Sequence, residues 1–268
     1  MSSVNQRSLR FGFLAVLLAT LTISTYANWS NTIALAVLGG DLYTVEKSGA
    51  LYRTNLNTGK WIQVGKAEFA NTQRMFAGPN NLFTLEADGS LYRVNPTDGS
   101  WSRMGKAGEW KNTIAGVFHG GKLFTVESGG ALYGTNPVSG AWTQIGKAEF
   151  GKTRHIFSTN DSIYTIESDG SLYAINASNG SWIGLGKTGE WANTIAGTVL
   201  NGKIYSIESD GTLYETEPST GAWKQVGKAE FANTRWFFGA GGSLYTIEKD
   251  GRLYRINPSN GSWVEVVV

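Results

Sequence analysis

The chain has 268 residues, no cysteine and a formal net charge of +2. The lack of cysteine excludes a disulfide framework and a thiolate metal site. Arg7 and Arg10 lie in the first 27 residues, which contain no acidic residue, so the 21 basic and 21 acidic residues that follow cancel. A neutral chain without a basic run offers little to a phosphate backbone, and we expect no nucleic acid as a partner.

The first 27 residues have the pattern of a secretory signal. Arg7 and Arg10 precede an apolar run from Phe11 to about Ile23, and the small residue Ala27 follows. We predict a signal peptide at 1–27 and a secreted or periplasmic chain of residues 28–268 without stable membrane insertion. An uncleaved membrane anchor is the alternative, although the apolar run is short for a membrane span.

One motif, (Leu/Ile)-(Tyr/Phe)-(Thr/Ser)-(Val/Ile/Leu)-Glu, occurs six times after this segment. Its copies end at Glu46, Glu86, Glu127, Glu167, Glu208 and Glu248, which are 40 or 41 residues apart. A period near 40 with strand-forming residues is typical of a β-propeller, because one four-stranded sheet cannot bury both of its faces alone.

Each repeat contains four predicted strands. Between residues 112 and 142, a small apolar strand spans 114–118, a second spans 123–127, a third spans 131–135, and a fourth starts near Trp142. The sequence therefore predicts an all-β protein, a six-bladed β-propeller of four-stranded antiparallel blades. Two ways of closing the ring are open: the chain ends meet, or an N-terminal strand completes the last blade.

A second period of 81 residues overlies the first. Asn-Thr-Ile-Ala begins at Asn31, Asn112 and Asn193, whereas the intervening repeats carry Asn71-Thr72-Gln73, Lys152-Thr153-Arg154 and Asn233-Thr234-Arg235. The preceding aromatic residue alternates in the same way, with Trp29, Trp110 and Trp191 against Phe69, Phe150 and Phe231. We predict three copies of a two-blade unit, with two classes of inter-blade site.

The loop leading into each repeat and the turn after its second strand are expected on one face of the ring. There an aromatic ring can stack on a pyranose while Asn and Glu bind its hydroxyls. The first class of carbohydrate site is predicted at Trp29, Asn31, Glu46, Trp110, Asn112, Glu127, Trp191, Asn193 and Glu208. The second is predicted at Phe69, Phe150, Phe231, Arg154 and Arg235. Several such sites on one ring would raise avidity for a glycan-coated surface.

Two expectations concern exposure and charge pairing. We expect the loop tryptophans to be partly exposed, the alternative being that they cap the inter-blade core. We expect the tryptophans of the Gly-x-Trp motif to pack between blades. The latter are Trp61, Trp101, Trp142, Trp182, Trp223 and Trp263. A structural alternative exists for the glutamates that end the second strands: they pair with loop lysines and hold the loops. Those lysines are Lys66, Lys106, Lys147, Lys187 and Lys228.

Few residues are suited to catalysis. His119 and His155 occupy non-equivalent positions in their repeats, and no cluster has metal-ligand spacing. A glycosidase needs two carboxylates at a defined separation, whereas Glu86 and Asp88 belong to a hairpin turn. We predict no enzymatic activity, no cofactor and no metal.

The repeat resembles those of the tachylectin and tectonin group of β-propeller lectins. The likeness extends over essentially all of 28–268 and is carried by Leu42, Tyr43, Gly49, Leu51, Tyr52, Trp61 and Gly65 with their counterparts. It implies sugar binding between adjacent blades, often of N-acetylated or methylated sugars, and recognition of microbial surfaces. We predict a secreted multivalent lectin with glycans as partners; the alternative is a non-enzymatic scaffold for protein–protein interaction in the cell envelope. The oligomeric state is open.

Overall fold

The computed structural model describes residues 28–266, so the predicted signal peptide lies outside the described residues. These residues form 24 strands in six separate sheets, and consecutive strands within each sheet pair antiparallel. The predicted six-bladed propeller of four-stranded blades is confirmed. Between residues 28 and 266 there is no helix with the length and hydrophobicity that a membrane crossing requires.

The strands run in chain order from the centre of the ring to its rim in every blade. Blades 1 to 3 contain β1 (Thr32–Leu38), β2 (Asp41–Glu46), β3 (Leu51–Asn55), β4 (Trp61–Val64), β5 (Thr72–Ala77), β6 (Leu82–Glu86), β7 (Leu91–Val94), β8 (Trp101–Met104), β9 (Thr113–His119), β10 (Lys122–Glu127), β11 (Leu132–Thr135) and β12 (Trp142–Ile145). Blades 4 to 6 contain β13 (Thr153–Ser158), β14 (Ile163–Glu167), β15 (Leu172–Ile175), β16 (Trp182–Leu185), β17 (Thr194–Leu200), β18 (Lys203–Glu208), β19 (Leu213–Thr216), β20 (Trp223–Gln225), β21 (Thr234–Ala240), β22 (Ser243–Glu248), β23 (Leu253–Ile256) and β24 (Trp263–Glu265).

The second strand of each blade is the most deeply buried, because it lies inside its sheet and has a neighbouring blade on each face. In β2, Leu42, Thr44 and Val45 are all inaccessible to solvent. Six hydrophobic clusters fill the spaces between adjacent blades. Burial of both sheet faces is the main stabilising contribution, and it exists only when the blades stand side by side.

The ring closes because its two ends meet. Blade 1 consists of β1 to β4 and blade 6 of β21 to β24, so no strand is exchanged between them. Trp29 and Leu42 share a cluster with Phe238 and Leu253. The backbone N–H of Trp29 also donates to the carbonyl of Gly251, at 2.9 Å. Of the two closures compatible with the sequence, the direct one is present.

The two-blade unit is visible at the centre of the ring, where large and small residues alternate. A Cβ added at Gly116 would overlap the ring of Phe76, and one added at Gly197 would overlap the ring of Phe157. β1 lies close to β5, β9 to β13 and β17 to β21, whereas the inner strands of the other neighbouring pairs are farther apart. The predicted three copies of a two-blade unit are confirmed by this spacing.

Each innermost strand contains a β-bulge beside its first residue. In blade 3, Thr113 pairs with Glu127 and Ala115 pairs with Val126, so Ile114 is an extra residue. The same shift occurs in the other five blades. A bulge redirects local side chains, and here it sets a threonine opposite the glutamate at the end of the second strand.

Candidate functional site

A pocket of similar composition occurs in blades 2, 3, 5 and 6. Its walls are the leading loop, which we define as the segment just before the first strand, and parts of the second, third and outermost strands. In blade 3 the lining includes Glu109, Trp110, Asn112, Thr125, Glu127, Tyr133 and Trp142. The equivalent residues line the other three. These blade pockets have volumes from about 200 Å³ in blade 5 to about 500 Å³ in blade 2, which overlaps the range of small-ligand sites, roughly 300–1,000 Å³.

The structure brings together several of the predicted site residues. Trp110, Asn112 and Glu127 line one pocket, and Trp191, Asn193 and Glu208 line another. Phe69 and Phe231 lie in the pockets of blades 2 and 6. The remaining members of the set, in blades 1 and 4, hold the equivalent positions of their repeats outside these four pockets; they are Trp29, Asn31, Glu46 and Phe150.

Each glutamate at the end of a second strand is held by a threonine. Thr113 Oγ1 donates to Glu127 Oε1 at 2.6 Å, and the same bond of 2.6 to 3.0 Å occurs in all six blades. Burial raises the pKa of Glu127, and the hydrogen bond from Thr113 partly opposes the rise. Burial acts in the same direction on the other five glutamates. The ion pairs within residues 28–266 join other groups, so the alternative of glutamate–lysine pairing is wrong there.

Five of the six Gly-x-Trp tryptophans are exposed rather than packed between blades, so that expectation was wrong for them, whereas Trp61 is partly buried against the cluster between blades 6 and 1. Trp101 and Trp223 are 49% exposed, and Trp142 is 45% exposed. These residues begin the outermost strands, beyond which no further strand covers them. Each indole instead contacts a tyrosine of the third strand; the rings of Tyr133 and Trp142 are 4.9 Å apart and nearly perpendicular. The pockets thus present an exposed aromatic surface that the sequence assigned to the core.

The loop tryptophans are buried, so the expectation of partial exposure was also wrong. Trp29, Trp110 and Trp191 are at most 3% exposed. Trp110 packs with Leu91 and Leu123 in the cluster between blades 2 and 3. The leading loop passes directly over this inter-blade space, and its largest side chain fills the gap. Only an edge of the ring is left to form the pocket wall.

Arg154 and Arg235 lie outside the four blade pockets. Both occupy bulge positions and point toward the next blade around the ring. Arg154 donates to the carbonyls of Trp191 at 2.8 Å and Thr194 at 3.3 Å. Arg235 donates to the carbonyls of Ser30 at 2.7 Å and Thr32 at 2.6 Å in blade 1. These contacts connect successive two-blade units, and a role of the arginines in sugar binding stays a prediction.

The sequence pattern did not single out the loop glutamate, which acts in two ways. In blade 2, Glu68 Oε2 accepts the indole N–H of Trp101 at 3.0 Å, and blades 4 and 6 repeat this bond. In blade 3, Glu109 Oε2 instead accepts the backbone N–H of Lys106 at 2.7 Å, as its counterpart does in blade 5. We call the first arrangement the Phe-class loop and the second the Trp-class loop, after the aromatic residue that follows the glutamate.

One inserted residue separates the two loop classes. Trp-class loops contain Gly108 or Gly189, with φ of +81° and +92°, and Phe-class loops have no residue at this point. Glycine adopts this left-handed conformation without steric penalty. The insertion turns the loop glutamate back on its own backbone. The signal was present in the sequence, as Gly-Lys-Ala-Gly-Glu-Trp against Gly-Lys-Ala-Glu-Phe.

A different cavity lies at the opposite end of the blades. It has a volume of about 570 Å³ and crosses the turns between the first and second strands of blades 3, 4 and 5. His119 Nδ1 lies 2.9 Å from Ser158 Oγ and 3.2 Å from the carbonyl of Thr159. Because a carbonyl only accepts, a hydrogen bond to Thr159 requires the proton on Nδ1. His119 has no histidine counterpart in the other repeats, so this site is not repeated around the ring.

Comparisons with known proteins agree on a propeller. The family described as outer membrane protein assembly factor BamB matches residues 87–222, half of the chain. No curated protein matches. Because the matching family is not that of the tachylectins or tectonins, only the propeller part of that resemblance is confirmed, and its lectin part stays a prediction.

Three solved structures illustrate the likeness. The first is PorZ, a bacterial surface component of the type-IX secretion system of Porphyromonas gingivalis, with 12% identity and a TM-score of 0.58 over 89% of this chain and 38% of that one. The second is the extracellular domain of the proposed one component system BT4673 from B. thetaiotaomicron, with 12% identity and a TM-score of 0.60 over 90% and 38%. The third is the computationally designed Ika8 protein, with 14% identity and a TM-score of 0.56 over 83% and 69%. The chain spans only about two fifths of the two natural proteins, and the likeness concerns the fold.

Proposed function

We propose that this chain, which belongs to the family of the outer membrane protein assembly factor BamB, is a multivalent carbohydrate-binding propeller of the cell envelope or the extracellular space. The family and the surface or extracellular origin of two structural neighbours support the location. The ring of blade pockets supports the binding function.

The repeated exposed indole is the observation that carries this proposal. A half-exposed tryptophan beside a tyrosine offers a flat apolar surface, and the C–H face of a pyranose is complementary to it. Asn112 is exposed at the mouth of the same pocket in blade 3. Glu127 has one oxygen held by Thr113, and its second oxygen has no hydrogen-bond partner within residues 28–266. An amide and a carboxylate oxygen provide directional bonds for sugar hydroxyls.

Repetition gives weak pockets a use. Contacts of this kind bind a single sugar weakly, but equivalent pockets on one rigid ring engage several residues of a surface glycan together. Avidity then exceeds single-site affinity by about 10²–10⁴-fold when the spacing allows simultaneous binding. A catalytic site gains nothing comparable from repetition.

A glycan array followed by calorimetric titration of residues 28–268 tests the proposal. Binding to several equivalent sites, inhibited by free sugar, is the expected result. Trp263→Ala should remove one site from the stoichiometry, while Val264→Ala, on the same strand and 53% exposed, should remove none. Equal binding by both variants would show that the indole is not part of a sugar site.

The second candidate is a non-enzymatic scaffold for an envelope protein. It is favoured by the match to the outer membrane protein assembly factor BamB and by the unrepeated cavity at His119, Ser158 and Asn201. A scaffold should bind one partner per ring and lose it on Asn201→Arg without any change in sugar binding. A partner displaced by free sugar would contradict this candidate and favour the first.

A further inference from the structure

Resting on the carbohydrate-binding function proposed above, we infer that the blade pockets select saccharides carrying a protonated amino group, such as a de-N-acetylated hexosamine, over neutral and acidic sugars. The resemblance to tachylectins implies N-acetylated sugars instead. The charges of the linings favour the free amine.

The linings are acidic. The pocket of blade 2 is lined by Glu68, Glu86 and Asp88, and that of blade 5 by three equivalent carboxylates. The pocket of blade 3 has two carboxylates and that of blade 6 has three. Among these four linings the only cationic side chain is Lys249, in blade 6. Like charges repel an acidic sugar, and an ammonium supplies the missing countercharge.

The aromatic pair favours the same ligand. An indole face attracts a cation placed over it, more strongly than a phenol or phenyl face does. In blade 5 the rings of Tyr214 and Trp223 are 5.0 Å apart at 81°, so they form two walls of a corner. Glu208 and Asp210 line the same pocket. Two aromatic walls with carboxylates beside them suit an ammonium on an otherwise apolar sugar face.

Buried hydroxyls also lie in the pocket walls. Thr125 is 1% exposed, lines the pocket of blade 3 and has no hydrogen-bond partner within residues 28–266. Ser206 and Thr246 are in the same state in the pockets of blades 5 and 6. Buried polar groups are normally paired. The equivalent Thr44, Thr84 and Thr165 of the other blades also lack partners within residues 28–266, so the unpaired hydroxyl is a feature of every repeat. In blades 3, 5 and 6 it lies at a pocket wall, where it adds a polar group beside the carboxylates.

The state of Glu127 is consistent with this inference. Burial raises its pKa by removing water from the carboxylate, and a bound ammonium would oppose that shift by stabilising the ionised form. A neutral N-acetyl group would leave the carboxylate without a countercharge.

The test compares four tetrasaccharide probes on residues 28–268 by calorimetry in mildly acidic buffer. They are the glucosamine tetramer, the N-acetylglucosamine tetramer, the glucose tetramer and the galacturonic acid tetramer. The glucosamine tetramer should bind about tenfold or more tighter than the N-acetylated one, which is the scale of one added charge or cation–π contact. Its affinity should fall as salt is added.

Two sets of variants locate the charge effect. The first variant replaces the four pocket glutamates by Gln, which keeps an oxygen for the threonine hydrogen bond and removes the charge. These residues are Glu86, Glu127, Glu208 and Glu248. Asp88→Asn with Asp210→Asn alters exposed turn residues and serves if the first set does not fold. Both should reduce the preference for the amine. Asp161→Asn, at an exposed turn between the first and second strands of blade 4 and so at the opposite end of the blades from the pockets, is the matched control and should not.

The outcomes separate this inference from the function on which it rests. Tighter binding of a neutral or N-acetylated tetramer would overturn the inference and leave carbohydrate binding standing. Equal binding of a lysine tetrapeptide would overturn it too, because the pockets would then recognise an amine without a sugar. If no saccharide on a broad array binds, both this inference and the proposed carbohydrate-binding function are overturned.

Discussion

The leading loops of blades 2 and 3 contain the same Glu-aromatic-x-Asn sequence, yet they use the glutamate in opposite ways. Glu68 orients the exposed indole of Trp101, whereas Glu109 binds the backbone of its own loop. The indole N–H of Trp142 consequently has no partner within residues 28–266 and is available to a ligand. A single glycine thus decides which donors a pocket offers, and near-identical repeats acquire two kinds of pocket lining.

The two classes share their largest energetic feature, the buried loop aromatic. Trp110→Ala and Phe69→Ala should each lower the free energy of unfolding by about 3–5 kcal/mol, because each leaves a cavity between blades. The measurement is urea denaturation. Trp142→Ala, at a half-exposed site, should change the free energy by less than about 1 kcal/mol. Equal effects for Trp110 and Trp142 would contradict their assignment to core and surface.

The inserted glycine of the Trp-class loop should be the next most sensitive position. At Gly108 an added Cβ meets only the carbonyl of Asp88, at an ordinary 3.7 Å, so its φ of +81° is the main obstacle to a side chain. Gly108→Ala should cost about 1–2 kcal/mol. Gly129, which has open space and no positive φ, is the matched control, and Gly129→Ala should be nearly neutral by the same denaturation measurement.

Removing the loop glutamate should affect the indole in one class only. Glu68→Ala deletes the bond to Trp101 and should move its indole N–H resonance and cost about 0.5–1.5 kcal/mol. Glu109→Ala should leave the Trp142 indole resonance in place while it destabilises the loop. Nitrogen-15 spectra of tryptophan-labelled protein provide the measurement. A shift of Trp142 in the second variant would mean that the classes do not differ as described.

The smallest effect concerns pH and is common to both classes. Burial raises the pKa of Glu127 above that of an unfolded glutamate, about 4.3. The folded state therefore binds the proton more tightly, and the stabilisation from protonation is fully present below the unfolded pKa and lost as pH rises through the folded pKa. Relative to Glu127→Gln, the wild type should gain stability on acidification through this window. If the difference in the free energy of unfolding between wild type and Glu127→Gln stays constant or decreases on acidification through this pH window, the raised pKa is contradicted.

Much of the fold follows from the repeat, but the roles of the two tryptophan sets were exchanged. Tryptophans equivalent to Trp110 and Trp142 recur at fixed positions of the repeat. A fixed position indicates a constant environment, but it does not indicate whether that environment is buried or exposed to solvent. Trp142 is exposed because it lies on the rim strand, and Trp110 is buried because its loop crosses an inter-blade gap. Neither fact is local in sequence, since the covering atoms belong to other strands or to another blade.

The sequence by itself determined the six blades, the two-blade unit and the grouping of Trp110, Asn112 and Glu127, because period, alternation and loop topology place these residues without knowledge of distances. The tertiary structure decided how the ring closes, which aromatic rings face solvent, and that threonines rather than lysines hold the glutamates. Those outcomes depend on contacts among strands far apart in the chain and on a one-residue bulge, and both arise only when the sheets pack around a common axis.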